Sequence, residues 1–414
     1  MVANQTSLSS KLSYSVIQEF TEIKKKSILY LLSLFDSQRG GFRFTLRQPV
    51  TLMATSYCVL GLEFLQGLTK LSDDQRECII SFLMSSVQAD GSFQDSLFQS
   101  EDILSDDHDL SYFQEETTTM CQQALDALGA PPPPPRKWPT NWQNIEGMID
   151  YFDSFPWENP WLDSNRVMFT LSQFCHDAER HQNSELLTLV DAALDWLDAH
   201  QSPTTGLWEG RHPVSLTNAM AATFHFTFYY GYRHRSMHYA ERIIDSCLSL
   251  QNHYGLFSDN AIGQTCLDYD AIDLLAKASL VTDHRASDIQ HSMMSAYEAL
   301  QKLFNIDDGG FANCKQRFQP EGDKKRLLRK VLQRFRLSGL MPAPASTRAR
   351  GTYSVCWRLL SCGTAKSNAF STWFRLVSIF LTLQQQALDT DSKNIIEECT
   401  FRRLPFLGYH NLDV

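Results

Sequence analysis

The 414 residues are 43% hydrophobic and 20% charged, enough apolar material for one large core or two ordinary ones. This excludes a disordered chain, a collagen-like fibre and a disulfide-stapled miniprotein. A balance of 37 basic against 47 acidic residues gives a net charge of -10, which argues against a protein built mainly to grip nucleic acid phosphates.

In chain order, the first sixteen residues, MVANQTSLSSKLSYSV, lack a basic segment followed by an apolar one, so no secretory signal is expected. A first amphipathic stretch, 21–35, runs to Gln38 and the turn Gly40-Gly41-Phe42, and a more apolar stretch, 51–68, follows. The same plan then recurs. Gly-x-aromatic turns stand at Gly91-Ser92-Phe93, Gly206-Leu207-Trp208, Gly255-Leu256-Phe257 and Gly309-Gly310-Phe311, three of them preceded by Gln88, Gln201 and Gln251. The aromatic positions are separated by 51, 115, 49 and 54 residues, and the step of 115 is about two periods. One copy is therefore rebuilt near Trp157-Glu158-Asn159-Pro160-Trp161.

Amphipathic first members are predicted at 21–35, 74–88, 141–155, 184–201, 236–251 and 286–304. Apolar second members are predicted at 51–68, 115–129, 161–178, 215–232, 264–279 and 352–362. A helix that is apolar all round is buried on every side, so the second members form an inner ring and the first an outer one. The expected fold is all-α, an (α/α)6 toroid of six helical hairpins over 1–414 as a single domain. A last helix at about 368–388 is expected beside the first, closing the ring, and the Pro131 to Pro135 run is read as a stiff spacer.

Residues 315–350 form a basic insertion with eleven basic and two acidic residues, +9, leaving 26 against 45, or -19, elsewhere. Within 324–341, Leu327, Leu328, Val331, Leu332 and Phe335 make an apolar face beside Lys324, Lys325, Arg329, Lys330, Arg334 and Arg336. A basic amphipathic helix of this kind suits an anionic membrane, a phosphorylated substrate or a lid, and equally a solvated helix on the acidic surface. Ten cysteines without a CxxC pair suit reduced thiols, and a cytoplasmic protein is expected.

The Gln…Gly-x-Phe/Trp turns over residues 38–311 resemble the repeats of the terpenoid cyclase and protein prenyltransferase superfamily. The resemblance is closest to class II, squalene-hopene-like cyclases, because Asp268-Tyr269-Asp270-Ala271 opens the fifth inner helix just after the Gly255 turn. That family carries Asp-x-Asp-Asp there, its middle aspartic acid protonating an alkene or epoxide. Asp268 matches the first acid and Asp270 the middle one, while Ala271 stands in place of the last. The resemblance implies an isomerase or lyase that starts polyene cyclisation by general acid catalysis from Asp270, with Asp268 and Asp273 beside it. It also implies an isoprenoid substrate in an aromatic lumen. Tyr57, Tyr112, Trp161, Arg166, His212, Asn218, Tyr269, Trp357 and Arg358 are the candidate substrate-binding residues. No metal site and no cofactor are expected, apart from Mg2+ with a diphosphate substrate; the protein-prenyltransferase zinc set is absent, and no nucleic acid partner is expected.

Two other readings stay open. The three aspartates can serve as helix N-terminal charges alone. The ring can serve a glycan or other small molecule through paired acids such as Asp268 and Glu115, or act as a non-catalytic binding scaffold. Asp106-Asp107-His108-Asp109, followed by Glu115 and Glu116, is read as a diphosphate or metal cluster or as an exposed acidic loop.

Overall fold

The computed structural model describes residues 14–103, 108–258, 263–315, 323–335, 337, 340, 352–355, 357–386 and 399–410. Six helices form an inner ring: α2 (Leu52–Phe64), α4 (Leu110–Ala127), α6 (Pro160–Arg180), α8 (Leu216–Tyr232), α10 (Thr265–Ala278) and α13 (Ala369–Gln384). Each packs on the next, and α13 packs back on α2, so the ring is closed. Every residue from Thr217 to Gly231 of α8 is buried, as expected of a helix walled in on all sides. The outer ring comprises α1 (Tyr14–Ser33), α3 (Asp73–Met84), α5 (Ile145–Asp153), α7 (Glu185–His200), α9 (Ala240–Leu250) and α11 (Ala286–Gln301). These helices bury a single stripe, such as Ile243, Ile244 and Cys247 of α9. The fold is the (α/α)6 toroid.

Each Gly-x-aromatic turn ties three helices together. The aromatic residue's N–H donates to a side chain of the following inner helix: Phe42 to Thr55 (2.9 Å), Phe93 to Thr118 (3.0 Å), Trp208 to Thr223 (3.1 Å), Phe257 to Asp268 (2.9 Å) and Phe311 to Thr372 (2.9 Å). The preceding glycine lies against the next outer helix. At Gly255, φ is +88° and a Cβ would fall 2.4 Å from the Ser295 carbonyl oxygen; at Gly309 it would fall 2.5 Å from that of Lys26 in α1, joining the last unit to the first. Only glycine meets both demands. Gln201 and Gln251 seal the joint, each side-chain amide donating to its turn glycine's carbonyl and to the next outer segment, at His238 and Ser292.

The rebuilt third turn keeps the tryptophan. The Trp157 indole donates to the Phe152 carbonyl of α5 at 2.9 Å, as the Trp208 indole does to Leu197 of α7 at 2.7 Å. The proline run replaces an outer helix against the second turn, where Gly91 lies on the carbonyls of Pro134 and Pro135.

One expected helix is absent. Residues 352–362 are not the sixth inner helix but a two-stranded ribbon, β3 (Thr352–Ser354) with β4 (Ser361–Gly363), around a 3-10 turn. The inner position belongs to α13, the helix expected at 368–388, because its N-cap Asn368 and turn anchor Thr372 sit beside the Gly309 turn. A shorter ribbon, β1 (Phe35–Asp36) with β2 (Gly41–Phe42), frames the first turn.

The tail 399–410 crosses the lower bore and meets all six inner helices. Phe401 meets Phe64 at a tilt and Phe380 edge-on, the Ser172 hydroxyl donates to the Pro405 carbonyl, Tyr409 packs by Tyr232, and the Gly408 N–H donates to the Tyr269 hydroxyl at 3.1 Å. Arg402 binds Gln123, Glu63 and Asp126 from α2 and α4. Arg402→Ala removes this tie, and because Glu63 keeps contact with water the expected loss is on the order of 2 kcal/mol in urea unfolding.

Candidate functional site

The acids of α10 separate by direction. Asp268 occupies the anchoring position that is threonine in four other units. Its Oδ1 accepts from Phe257 N and its Oδ2 from Gln264 N (3.0 Å) and Arg375 Nη1 (2.7 Å), with Asp268 and Arg375 both fully buried. Arg375 also donates to the Asn313 carbonyl at 2.9 Å. Asp273 is paired with Lys277 at 2.5 Å, equally buried, and lies 3.4 Å from His410 of the tail. Lys277 sits 4.4 Å from the Phe228 ring centre. Burial pulls its pKa down against the pull of Asp273.

Asp270 differs from both. It lies two residues beyond the anchor, a turn of about 200° in a helix, so it points away from the outer turn and into the bore. It is 1% exposed, and its Oδ2 has no hydrogen-bond partner among the described residues. Burial raises its pKa well above the carboxylate range, and the neighbouring Asp273 and Asp268 add to the shift. A carboxyl so placed holds its proton. The three aspartates thus do more than lend charge to a helix start, since only Asp268 lies in the first turn.

Glu116 is the counterpart across the ring. It lies two residues before the anchor Thr118, so a rotation of about 200° in the opposite sense also turns it away from the outer turn, and it shares a face with Gln123, which Arg402 contacts from within the bore. Helix α4 stands opposite α10 in the order of the inner ring. Glu116 is partly exposed, and burial pushes its pKa up to about 8. No ion pair or hydrogen bond joins it to another described residue. From the sequence Glu116 is placed at the start of the second inner helix and grouped with the Asp106–Asp109 cluster; the signal for its inward direction is its spacing from Thr118.

This geometry predicts a pH effect on stability. The folded protein holds the Glu116 proton to about pH 8, whereas the unfolded chain releases it near 4.5, so the native state binds more protons and loses stability as pH rises through that window. Glu116→Gln should therefore be more stable than wild type by an amount that grows from about pH 4.5 to 8 and then levels. Parallel thermal melts across that range read it.

The expected substrate-binding residues divide. Tyr57 of α2 is buried with ring centres 5.1 Å from Phe370 and 6.2 Å from Trp373. Tyr269 is held between Phe224 (5.0 Å) and Phe374 (4.9 Å). Tyr112 lies near the upper mouth against Phe169 and His108, with Arg166 over its ring at 5.4 Å. Arg166 is held by Asp109 at 3.0 Å. Trp161 and His212 are half-buried near the same end, and Asn218 is buried in α8. Trp357 and Arg358 are not on an inner helix. Trp357 packs its ring 4.5 Å from Phe98, whose ring meets Phe113 of α4, so this ribbon roofs the bore. Arg358 is exposed and reaches Asp102 and the Glu101 carbonyl.

Asp268 and Glu115 do not form a pair of facing acids. Asp268 is committed to Arg375, and Glu115 to Arg136 (2.7 Å) and Gln173 (2.8 Å). Asp106 and Asp107 lie outside the described residues; His108 is half-buried and its pKa falls to about 4, chiefly by desolvation and then by Arg166. Among the described residues no cluster of three metal-ligating side chains occurs, and no described helix is long and apolar enough to cross a membrane.

Residues 8–152 match the family model of the prenyltransferase alpha-alpha toroid domain. No curated protein matches. Among solved structures, the chain is similar to type II terpene cyclase MstE from Scytonema in complex with merosterolic acid A, its product, at 11% identity over 91% of this chain and 99% of that one, with a TM-score of 0.47. It is similar to the same cyclase in complex with geranylgeranyl dihydroxybenzoate, its substrate, at 12% identity, 91% and 99% coverage and a TM-score of 0.46.

Proposed function

We propose that this toroid, whose N-terminal part matches the prenyltransferase alpha-alpha toroid domain, is a class II-like terpenoid cyclase in which Asp270 starts polyene cyclisation by protonating an alkene. The observation that carries the reading is one inward-facing, buried carboxyl with an unpartnered oxygen between two aspartates that are each tied to a cation. Burial first, and then those fixed neighbours, keep the acid protonated in the resting state. Asp268 and Asp273 are positioning residues here, holding the α10 start and the tail.

When Asp270 gives up its proton, the alkene π pair forms the new C–H bond and the neighbouring carbon becomes a cation. The rings of Tyr57, Phe224, Tyr269 and Phe374 offer faces that stabilise such a charge. Gly408 and His410 touch Tyr269 and Asp273, so a polyene reaching Asp270 draws the tail back from the bore. No cofactor enters the step, and a diphosphate substrate would bring Mg2+ as its counterion. The test is conversion of farnesyl, geranylgeranyl and squalene-type polyenes by wild type and by Asp270→Asn.

The supply of such substrates fits a cytoplasmic protein that touches an anionic membrane through α12 (Asp323–Arg334). Leu327, Leu328, Val331 and Phe335 are 44–68% exposed on this helix and its end, beside exposed Lys324, Lys330 and Arg334. Apolar residues flanked by cations enter the interface of anionic lipid. Flotation with phosphatidylglycerol vesicles should carry the wild type, while Leu327→Asp/Val331→Asp and neutral phosphatidylcholine vesicles should each cut the bound fraction severalfold.

A further inference from the structure

A proton-initiated cyclisation needs a second group, because the last carbocation must lose a proton before the product is neutral. We infer that Glu116 is that proton acceptor, facing Asp270 across the bore of the inner ring. The inference rests on the cyclase reading above. Three observations select this residue. It lies two residues before Thr118, as Asp270 lies two residues after Asp268, so opposite rotations of about 200° turn both away from their anchored turns. Helix α4 lies opposite α10, and with neighbouring axes about 9 Å apart a six-membered ring spans about 18 Å between opposite axes, of which about 6–8 Å is clear of side chains. Glu116 is partly exposed, while the acids beside it and on α10 are otherwise committed: Glu115 to Arg136, Asp268 to Arg375 and Asp273 to Lys277.

The step balances. Asp270 loses its proton to an alkene carbon and becomes a carboxylate, and successive π pairs close rings until the cation reaches the far side of the bore. There a C–H bond beside the cation breaks, its pair becomes the new double bond, and the proton joins an oxygen of the ionised Glu116, the form that grows as pH approaches 8. Net charge returns to its starting value, and solvent entering after product release carries the proton from Glu116 back to Asp270. Desolvation makes Glu116 a stronger base than an exposed carboxylate. Its competence therefore rises with pH towards 8, opposite to that of the initiating acid.

The experiment uses the full chain and Glu116→Gln, with N,N-dimethylfarnesylamine, which is cationic at neutral pH, as a mimic of the carbocation. Wild type should bind the amine more tightly at pH 8.5 than at pH 6, and Glu116→Gln should lose roughly tenfold in affinity at the higher pH and show no such pH dependence. In turnover, Glu116→Gln should still consume the polyene but shift its products to double-bond isomers and water-captured alcohols. Unchanged products and unchanged amine affinity in Glu116→Gln, alongside an active wild type, would overturn this inference and leave the Asp270 reading standing. A wild type that neither converts polyenes nor binds the amine would overturn both. Circular dichroism melts confirm that the variant is folded.

Discussion

Asp270→Asn should lower turnover of a polyene substrate by 10²- to 10⁴-fold, the range that a positioned general acid supplies, with little change in fold. Asparagine has nearly the same shape and keeps a polar group in the site, but it has no acidic proton to give. The stability effect should be small and of opposite sign to the loss of activity. The folded state raises the Asp270 pKa through burial and the adjacent Asp273 and Asp268, so ionisation opposes folding above the unfolded value near 4, and the amide removes that opposition. Steady-state rates at pH 6 to 8 together with urea melts separate the two effects. Asp268→Asn should behave differently, weakening a structural pair and costing stability first.

Arg375→Ala should cost about 3–5 kcal/mol of folding stability. The guanidinium is fully buried, holds Asp268 at 2.7 Å and caps the Asn313 carbonyl at 2.9 Å. Without it, Asp268 is a buried carboxylate left with the N–H groups of Phe257 and Gln264. The other units suggest the repair, because threonine accepts the same turn N–H at 55, 118, 223 and 372. Asp268→Thr combined with Arg375→Leu should therefore recover most of the loss, since a buried ion pair exchanged for well-packed neutral residues is often neutral or better. Urea unfolding of the single and double variants measures both values, and strict additivity of the two losses would contradict the pairing.

Much of this architecture is written locally. The five glycine turns sit at left-handed backbone positions against the next outer segment, so their sequence spacing reports the repeat directly. The apolar inner helices and amphipathic outer ones follow from composition and period. The sixth inner helix was the exception, because 352–362 is a short apolar run, and such a run reads equally as a buried helix or a strand; its ribbon is set by contact with Ile103 and Phe98. Asp270 stands out in its motif, whereas the partners of its neighbours do not. Asp268 is an anchor because Arg375, 107 residues away, pairs with it. The tail carries no period, and nothing in its sequence announces that Arg402 would meet Gln123, 279 positions earlier, inside the bore. Glu116 became visible only once Thr118 was known to anchor the Phe93 turn.

The central claim is that Asp270 delivers the proton that begins the reaction, and turnover in D2O tests it most directly. Enzyme equilibrated in D2O should yield cyclised product carrying one deuterium at the initiation carbon by mass spectrometry and NMR, and Asp270→Asn should yield none above background. Cyclised product without deuterium, or deuterated product formed at the wild-type rate by Asp270→Asn, would contradict the account.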